Sequence, residues 1–472
     1  MRQDSEVSRR EFLKSGARTG AGLAAMSGLG LVGAARVLGA NERVRIAVCG
    51  VRGRGFDHIK GFSKLPNVEV AAICDVDENV ARKRIADMEK MGLAKPQYFV
   101  DVRKLLEDKS IDAITIATPD HWHSLIGVWA CEAGKDVYCE KPCCHNWWEG
   151  KQLVTAANRY NRIVQHGTQS RSMKGVIDAI QKLRDGLIGD VYLARGLCYK
   201  WRPTIGHTPN VPVPAGVHYD LWLGPAPLQP FTRNHFHYNW HWFWNYGSGD
   251  LGNQGIHQLD IARWGLGVKF PNKVSAVGGK FMFKDDQQTP NVLNCSFQYD
   301  MPDGGRKMLE FEVRGWITNH EAGIGVGKGS HGIPPAGLQP QHKLGPISSP
   351  GNTIGDIFYG SKGYMAVDGS EGYRTWLGEG QEPGPHGSGG GNHFLNFIEA
   401  VRSRNKAELN APIEEGYISS TLIYLANASY RLGKTIEFDP DALRVVNDDD
   451  ANRMLRSEDR GYRRPFYIPE NV

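Results

Sequence analysis

The sequence has 472 residues, of which 40% are hydrophobic and 23% are charged. It is therefore long enough to bury a full core and too long for one typical domain. The formal net charge is +5, and residues 1–40 hold six Lys or Arg against three Asp or Glu, which leaves +2 for the remainder. A balance this small argues against nucleic acid as a partner. We expect two globular domains.

The amino terminus has the features of an export signal. Paired arginines stand in the stretch Ser8-Arg9-Arg10-Glu11-Phe12-Leu13-Lys14, and a weakly apolar run follows that ends at Leu38-Gly39-Ala40. This pattern is typical of the twin-arginine (Tat) route, and the alternative is a disordered basic arm. Residues 1–40 are predicted to be a signal peptide read by the Tat export machinery. The mature protein is predicted to be periplasmic or otherwise exported, and soluble.

Residues 41–166 are predicted to form a doubly wound Rossmann domain. Short apolar runs alternate here with helical patterns, which is typical of a parallel sheet covered on both faces. The predicted strands are 45–49, 68–74, a short one near Tyr98, 111–117, 136–139 and 163–166, and the predicted helices are 56–64, 79–91, 124–133 and 147–159.

Residues 167–440 are predicted to form an α+β domain with a large, open, mostly antiparallel or mixed sheet. The predicted strands are 191–197, 273–283, 292–299 and 307–313, and the predicted helices are 174–185, 393–404 and 418–432. Residues 322–351 are rich in Gly, Pro, Ser and His without periodicity, which predicts a long loop. Residues 441–472 are predicted to be a tail that packs on the body.

The eight cysteines do not suggest a disulfide framework. Cys49, Cys74 and Cys139 fall inside apolar runs, so most of the cysteines are expected to be buried thiols. Cys143 and Cys144 are adjacent and lack CxxC spacing, which makes a zinc site improbable. No metal site is predicted.

A glycine cluster follows the first strand directly, in the order Gly50-Val51-Arg52-Gly53-Arg54-Gly55. A dinucleotide needs glycine where the backbone turns tightly and where amide groups approach its pyrophosphate. In G-x-G-x-x-G register Arg52 occupies the middle glycine position. We predict that Gly50, Arg52, Gly53 and Gly55 contact a dinucleotide; the alternative is an ordinary strand-to-helix turn.

Asp75 stands at the end of the second strand, twenty residues after Gly55. A carboxylate there accepts hydrogen bonds from a ribose diol and repels a 2′-phosphate, which favours NAD over NADP. The alternative role for Asp75 is the N-cap of the next helix, which Asp77 could fill equally well.

Two further strands end in polar residues, at Thr118-Pro119-Asp120-His121-Trp122-His123 and at Glu140-Lys141-Pro142. Open α/β sheets bind ligands at the carboxyl ends of their strands. The predicted cofactor contacts from these ends are Thr118, Pro119, His121, His123, Glu140 and Lys141. Taken alone, the lysine could equally be a solvated surface residue, and the histidines could simply start a helix.

Together these residues resemble the Gfo/Idh/MocA family of sugar and inositol dehydrogenases. The stretch Gly252-Asn253-Gln254-Gly255-Ile256-His257-Gln258-Leu259-Asp260 is similar to the second signature of that family. The resemblance implies that Lys141 is the general acid/base, that His257 is its partner and that Asp260 helps to orient the site. A histidine that titrates near neutrality can take the proton. Asn253 is a departure, because family dehydrogenases commonly carry Asp at this place.

The segment 235–246 is unusually rich in aromatic residues and histidine. Aromatic faces pack against the C–H surfaces of sugars, so Trp240, His241 and Trp244 are predicted, with His257, to contact the substrate. Buried core or a subunit interface is an equally good explanation for most of the segment.

The resemblance implies an NAD-dependent oxidoreductase that acts on a secondary alcohol of a sugar or cyclitol, as a dimer or tetramer. Export adds a constraint, because no free nicotinamide pool exists outside the inner membrane, and we therefore expect a tightly retained cofactor. One alternative is a redox-neutral, NAD-dependent glycosidase, although the intact Glu140-Lys141-Pro142 favours the dehydrogenase. Another alternative is a sugar-binding protein that has lost catalysis.

Overall fold

The computed structural model describes residues 43–324, 352–369, 372–446, 448–458 and 461–472. The predicted signal peptide, residues 1–40, and nearly all of the predicted loop 322–351 lie outside these residues, so both remain predictions. Among the described helices, none combines the length and the hydrophobicity that crossing a bilayer requires.

The first sheet has six parallel strands in the order β3-β2-β1-β4-β5-β6. The strands are β1 Val44–Cys49, β2 Val68–Cys74, β3 Gln97–Phe99, β4 Ala113–Ile116, β5 Asp136–Cys139 and β6 Val164–His166. The helices between them are α1 Arg54–Phe62, α2 Glu78–Lys90, α3 Val102–Leu106, α4 Asp120–Glu132 and α5 Trp147–Arg159. Because helices cover both faces, β4 and β5 are buried at every position. The predicted doubly wound Rossmann fold is confirmed.

The second sheet has ten strands in the order β14-β13-β12-β11-β7-β10-β9-β8-β15-β16. Its pairs are antiparallel except for β7 with β10, which run parallel, so the predicted mixed sheet is confirmed. The strands are β7 Val191–Tyr199, β8 Lys273–Gly279, β9 Val292–Asp300, β10 Arg306–Arg314, β11 Thr353–Gly360, β12 Gly363–Asp368, β13 Gly372–Leu377, β14 Glu382–Ser388, β15 Ile436–Asp439 and β16 Arg444–Val445.

The helices of the second half of the chain are α6 Lys174–Arg184, α7 Tyr219–Leu223, α8 Gly249–Asn253, α9 Gly255–Leu266, α10 His393–Ser403, α11 Ile413–Leu432 and α12 Asp449–Leu455. Helices α6, α9, α11 and α12 contact the second sheet, whereas α10 packs on α1 of the first domain. Helix α9 packs on β7, β10 and β11, and α11 packs on β8. Residues at the far end of the chain also pack on the body, since Phe466 and Ile468 are buried and Phe466 contacts the ring of Trp122.

Two differences from the predicted elements bear on the site or on the sheet. Helix α4 begins at Asp120 rather than at residue 124, because Pro119 provides its N-cap in an extended conformation. Strands β11 to β14 were not predicted, because their glycines and prolines conceal the alternation of apolar and polar positions. All eight cysteines are buried thiols, in agreement with the expectation for Cys49, Cys74 and Cys139.

Candidate active site

A cavity of about 340 Å³ lies at the carboxyl end of the first sheet. Its floor is built by the loop after β1 and by the ends of β2, β4 and β5. The second domain covers it with Phe236, His237, Tyr238, Trp240, His241 and Asn253. The predicted site residues that line it are Gly50, Arg52, Gly53, Asp75, Thr118, Pro119, His123, Glu140, Lys141, Trp240, His241 and Asn253.

The loop after β1 requires glycine at two positions. Gly50 has φ +79°, and a Cβ atom on it would lie 2.7 Å from the carbonyl oxygen of Ala117. A Cβ atom on Gly55 would lie 1.8 Å from the carbonyl oxygen of Gly50, so α1 can begin this close to the loop only with glycine there. A Cβ atom on Gly53 would meet nothing within 4 Å. The space over Gly53 and Arg52 is therefore open to a ligand.

Asp75 faces the cavity and is not the N-cap of α2. Its carboxylate accepts hydrogen bonds from the backbone N–H of Val51 at 2.8 Å and of Asp77 at 3.0 Å. The cap is Asp77, which accepts from the N–H groups of Asn79 and Val80. Burial raises the pKa of Asp75 to about 6, although both backbone donors oppose the rise. The carboxylate joins the glycine loop to the end of β2, where a ribose would be recognised.

Replacing Asp75 with alanine should shift cofactor preference toward NADP. The carboxylate that repels a 2′-phosphate would be lost, and we expect the NADP-to-NAD ratio of affinities to rise about tenfold or more. Dissociation constants for both nucleotides, measured by calorimetry, give the ratio. Asp112→Ala is the matched control, because this carboxylate accepts a backbone N–H, that of Arg45 at 2.7 Å, at the opposite end of the sheet. An unchanged ratio in Asp75→Ala would leave Asp75 a purely structural role.

The end of β4 contributes three of its four predicted cofactor contacts to the cavity. The hydroxyl of Thr118 is buried and makes no hydrogen bond within the described residues. The ring of His123 lies between the carbonyl oxygens of Pro142, at 2.6 Å, and Thr118, at 2.8 Å, and so joins the ends of β4 and β5. His121 corrects the prediction: its ring packs against Trp222 and Tyr246 and is not part of the cavity wall.

Glu140 is the centre of a buried ionic cluster at the end of β5. Its carboxylate accepts from Arg54 at 2.7 Å, His58 at 3.0 Å and Gln169 at 3.1 Å. Burial alone raises the pKa of Glu140, but Arg54 and His58 hold it well below its usual range. Glu140 is thus a fixed anion beside Lys141, and it is saturated with donors. Arg54, which lies in the glycine loop and lines the cavity, was not among the predicted site residues.

Lys141 reaches across the cavity to the second domain. Its Nζ donates to the backbone carbonyl of Asn253 at 2.7 Å and lies 3.5 Å from the Oδ1 of the same residue. Burial lowers the pKa of Lys141, and the nearby Glu140 and Asp120 oppose this shift. A lysine held by neutral oxygens in a buried site can exist as the free amine more readily than a surface lysine.

Asp120 is a cavity residue that sequence reasoning missed. It is the first residue of α4 and is buried, and Ser248 donates to its Oδ2 at 3.2 Å. Burial raises the pKa of Asp120 to about 8, against the opposing charge of Lys141. The signal was present in the sequence, since Asp120 follows Pro119 at a strand end. The predicted helix began four residues later, which placed Asp120 in a loop.

His257 and Asp260 differ from their predicted roles. Burial, followed by the charge of Lys141, lowers the pKa of His257 to about 3, and His257 is not part of the cavity wall. Asp260 is not part of the cavity wall. Arg171 donates to its two oxygens at 2.7 and 2.9 Å, and Ser419 donates at 2.6 Å. Asp260 therefore anchors α9 to Arg171 and to Ser419 of α11, and it does not face the cavity.

The aromatic segment contributes only part of its length to the cavity. Trp240 and His241 line it, and their rings stack with centroids 3.6 Å apart. Burial, followed by the charge of Lys141, lowers the pKa of His241 well below its usual range. Trp244 corrects the prediction, because it lies in a separate pocket under the guanidinium of Arg431. Within the described residues no group of three or more His, Cys, Asp or Glu is arranged to hold a metal.

The residues present fit a dinucleotide. The glycine loop leaves room for phosphates, and the Asp75 carboxylate stands where a ribose diol would be bound. The Thr118 hydroxyl, which has no hydrogen-bond partner among the described residues, can serve a ligand. Residues 44–168 match the Gfo/Idh/MocA oxidoreductase family, NAD-binding Rossmann fold, and residues 173–312 and 389–465 match the C-terminal alpha/beta domain of the same family.

Individual proteins are similar to this chain only at low sequence identity or over part of its length. A glycosyl hydrolase family 109 protein from Shewanella pealeana is 30% identical over 154 residues, which cover 32% of this chain and 34% of that protein, about a third of its length. The WlbA dehydrogenase from Chromobacterium violaceum, solved with NADH and UDP-GlcNAcA, shares the fold with a TM-score of 0.60 at 18% identity, over 85% of this chain and 97% of that one.

A third similar protein is the aldose-aldose oxidoreductase from Caulobacter crescentus, solved with glycerol. It has a TM-score of 0.58 at 16% identity, and the match covers 84% of this chain and 100% of that one. At these identities the solved structures establish a common fold. The two family matches together cover both domains, and the first domain is an NAD-binding Rossmann fold. The chain belongs to the Gfo/Idh/MocA family of NAD-dependent oxidoreductases.

Proposed function

We propose that the protein oxidises a secondary alcohol of a sugar or cyclitol with NAD. The observation that carries this proposal is the position of Lys141. Its Nζ lies at the end of β5, bonded to the carbonyl of Asn253 at 2.7 Å, inside the cavity that the glycine loop also lines. A cation at this edge of a Rossmann sheet is placed to stabilise the alkoxide that forms as an alcohol loses hydride.

Each residue of the cavity has a chemical task in this proposal. When bound, NAD supplies the acceptor for the hydride. Lys141, as the amine, takes the hydroxyl proton, and Asn253 holds its Nζ in place. The stacked rings of Trp240 and His241 offer an apolar face and a polar edge, which suits a sugar ring and its hydroxyls.

Export to the periplasm by the Tat machinery is also part of the proposal. It rests on the paired arginines and the apolar run of residues 1–40. Outside the inner membrane, NAD released after each turnover would be lost, so the cofactor must be retained and reoxidised in place by a second substrate. The name of the similar aldose-aldose oxidoreductase supports a reaction in which one sugar is oxidised and another is reduced.

Protein purified without added nucleotide should carry about one equivalent of NAD through gel filtration. The expectation follows from retention, and it is measured by acid release of the nucleotide and chromatography. A screen of sugars and cyclitols, added singly and in pairs, then identifies the donor and the acceptor. Protein that emerges without nucleotide and needs millimolar NAD for activity would contradict the retained cofactor.

The redox-neutral glycosidase is the second candidate, and the similarity to a glycosyl hydrolase family 109 protein favours it. In this reaction oxidation, elimination of the aglycone, addition of water and reduction leave the cofactor unchanged overall. Aryl glycosides separate the two candidates. Release of the aglycone without accumulated NADH would support the glycosidase, whereas net NADH formation from a free sugar supports the dehydrogenase.

A homodimer or homotetramer is proposed as well. Val277, Phe281 and Ile317, which lie in or near the second sheet, are 74%, 70% and 73% exposed. Exposed apolar residues beside an open sheet are a common basis for subunit pairing.

A further inference from the structure

Five carboxylates line the cavity within the described residues: Asp75, Asp77, Asp101, Asp120 and Glu140. Four of them are held by backbone N–H groups or by basic side chains, as the bonds of Asp75 to Val51, Asp77 to Asn79, Asp101 to Arg103 and Glu140 to Arg54 show. Asp120 is different. In the described part of the chain its carboxylate has a single hydrogen bond, from the Ser248 hydroxyl at 3.2 Å.

Asp120 and Lys141 line the same cavity. Asp120 is 2% exposed, and the charges of the two side chains act on each other strongly enough to oppose the desolvation of both. The Nζ of Lys141 donates to the backbone carbonyl and the side-chain amide oxygen of Asn253, and both acceptors are neutral. Glu140 is already paired with Arg54 and His58. Asp120 is thus the cavity carboxyl group without a basic partner among the described residues, and with its raised pKa it ionises where a positive charge on Lys141 stabilises it.

Other charged and titratable groups also face this pair. Glu140 raises the pKa of Lys141, Arg54 and Lys200 lower it, and His123, His241 and His257 lie within reach of its charge. On the side of Asp120, the thiol of Cys139 and the phenol of Tyr424 are affected by its charge. The three histidines have lowered pKa values, and a histidine carries either no charge or a positive one, so none of them replaces the carboxylate as the counter-charge of Lys141.

We infer that Asp120 is a positioning residue for proton transfer, whose carboxylate sets the protonation state of Lys141. This inference rests on the proposed function. In the oxidation, the O–H bond of the substrate breaks and its proton binds the lone pair of the Lys141 amine. The C–H bond breaks, its electron pair leaves as hydride to the nicotinamide, and a C=O bond forms. The new ammonium group then lies in the same cavity as Asp120, and the ionised form of that carboxyl group stabilises it.

Ser248 connects this pair to the second domain. Its hydroxyl donates to the Oδ2 of Asp120, a bond that favours the ionised form, and Ser248 immediately precedes α8, the helix that ends at Asn253. The same short segment therefore holds both partners, Lys141 through the carbonyl of Asn253 and Asp120 through Ser248. The alternative role for Asp120, an acidic residue that stabilises the start of α4, requires neither this hydroxyl nor the proximity of Lys141.

Asp120→Asn should move the acid limb of the pH profile of kcat/KM to lower pH by about one unit. Loss of a nearby negative charge lowers the pKa of Lys141, whose amine is the reactive form. The second readout needs no turnover: the 13Cε chemical shift of Lys141, assigned by its absence in Lys141→Ala, should titrate at correspondingly lower pH. Ser248→Ala should shift both readouts in the same direction by less, because it leaves the carboxylate in place but favours its neutral form.

Glu132→Gln is the matched control, since it removes a carboxylate from the other end of the same helix. It should leave the profile and the titration unchanged. The inference is overturned if Lys141 in Asp120→Asn titrates as it does in the wild type. If Asp120→Asn does not fold, the same result in Ser248→Ala overturns it. Failure of the proposed function is a separate outcome. In that case the wild type oxidises no sugar or cyclitol with NAD, while the Lys141 titration still reports whether Asp120 controls its charge.

Discussion

Lys141→Ala should lower kcat by about 10²- to 10⁴-fold, the usual contribution of a general acid/base, and should leave NAD bound. The variant removes the amine that takes the hydroxyl proton. It leaves the glycine loop, Asp75 and the Thr118 hydroxyl untouched. Steady-state rates with the best sugar of the screen, together with the nucleotide content of the purified variant, test both parts of the expectation.

Two further measurements separate the proton-transfer role of Lys141 from a charge effect alone. Lys141→Arg keeps the positive charge but cannot release its proton near neutrality, so it should remain as inactive as the alanine variant. A small primary amine added to Lys141→Ala should restore part of the rate, because the cavity then has room for it. Activity of the alanine variant equal to that of the wild type would remove Lys141 from the chemistry.

The architecture of the first domain could be predicted from the sequence because its strands are short, apolar and bounded by glycine or polar residues. The second sheet could be predicted only in part. Strands β7 to β10 show alternation, whereas β14 has the sequence Glu-Pro-Gly-Pro-His-Gly-Ser and is recognisable only by its pairing with β13. Proline is tolerated there because β14 lies at the sheet edge, where its missing N–H costs no ladder bond.

The candidate site, like the second sheet, could be predicted only in part. Residues at strand ends, such as Asp75 and Lys141, could be predicted because the topology brings the carboxyl ends of parallel strands together. The orientation of a side chain on a helix could not. His121 and His123 are two residues apart on α4, so they point to different sides, and only His123 faces the cavity. Asp120 was missed because the predicted helix began at residue 124, whereas Pro119 caps the helix so that it begins at Asp120.

Asp260 shows how a motif residue can serve the fold. It is 1% exposed and Arg171 is 5% exposed, and the guanidinium of Arg171 bonds both carboxylate oxygens. Arg263 and Glu415 complete the cluster. A carboxylate this deeply buried is stable only with its cations, and each cation needs the carboxylate in turn. The cluster holds α9 against α11, and α9 begins two residues after Asn253, the residue whose carbonyl accepts from Lys141.

Asp260→Asn should lower the free energy of unfolding by about 3–5 kcal/mol at pH 7, because it leaves the buried Arg171 without its full counter-charge. Burial raises the pKa of Asp260, but Arg171 lowers it to about 2, below the ordinary 3.8. The contribution of its charge is therefore complete above about pH 4 and is lost as the pH falls toward 2, so the wild type and the variant should converge in acid. Urea unfolding at several pH values measures this.

Asp300→Asn, which breaks an exposed pair with Arg306, should cost no more than about 1 kcal/mol. Loss of turnover in Asp260→Asn with unchanged stability would instead restore the catalytic role that the sequence predicted.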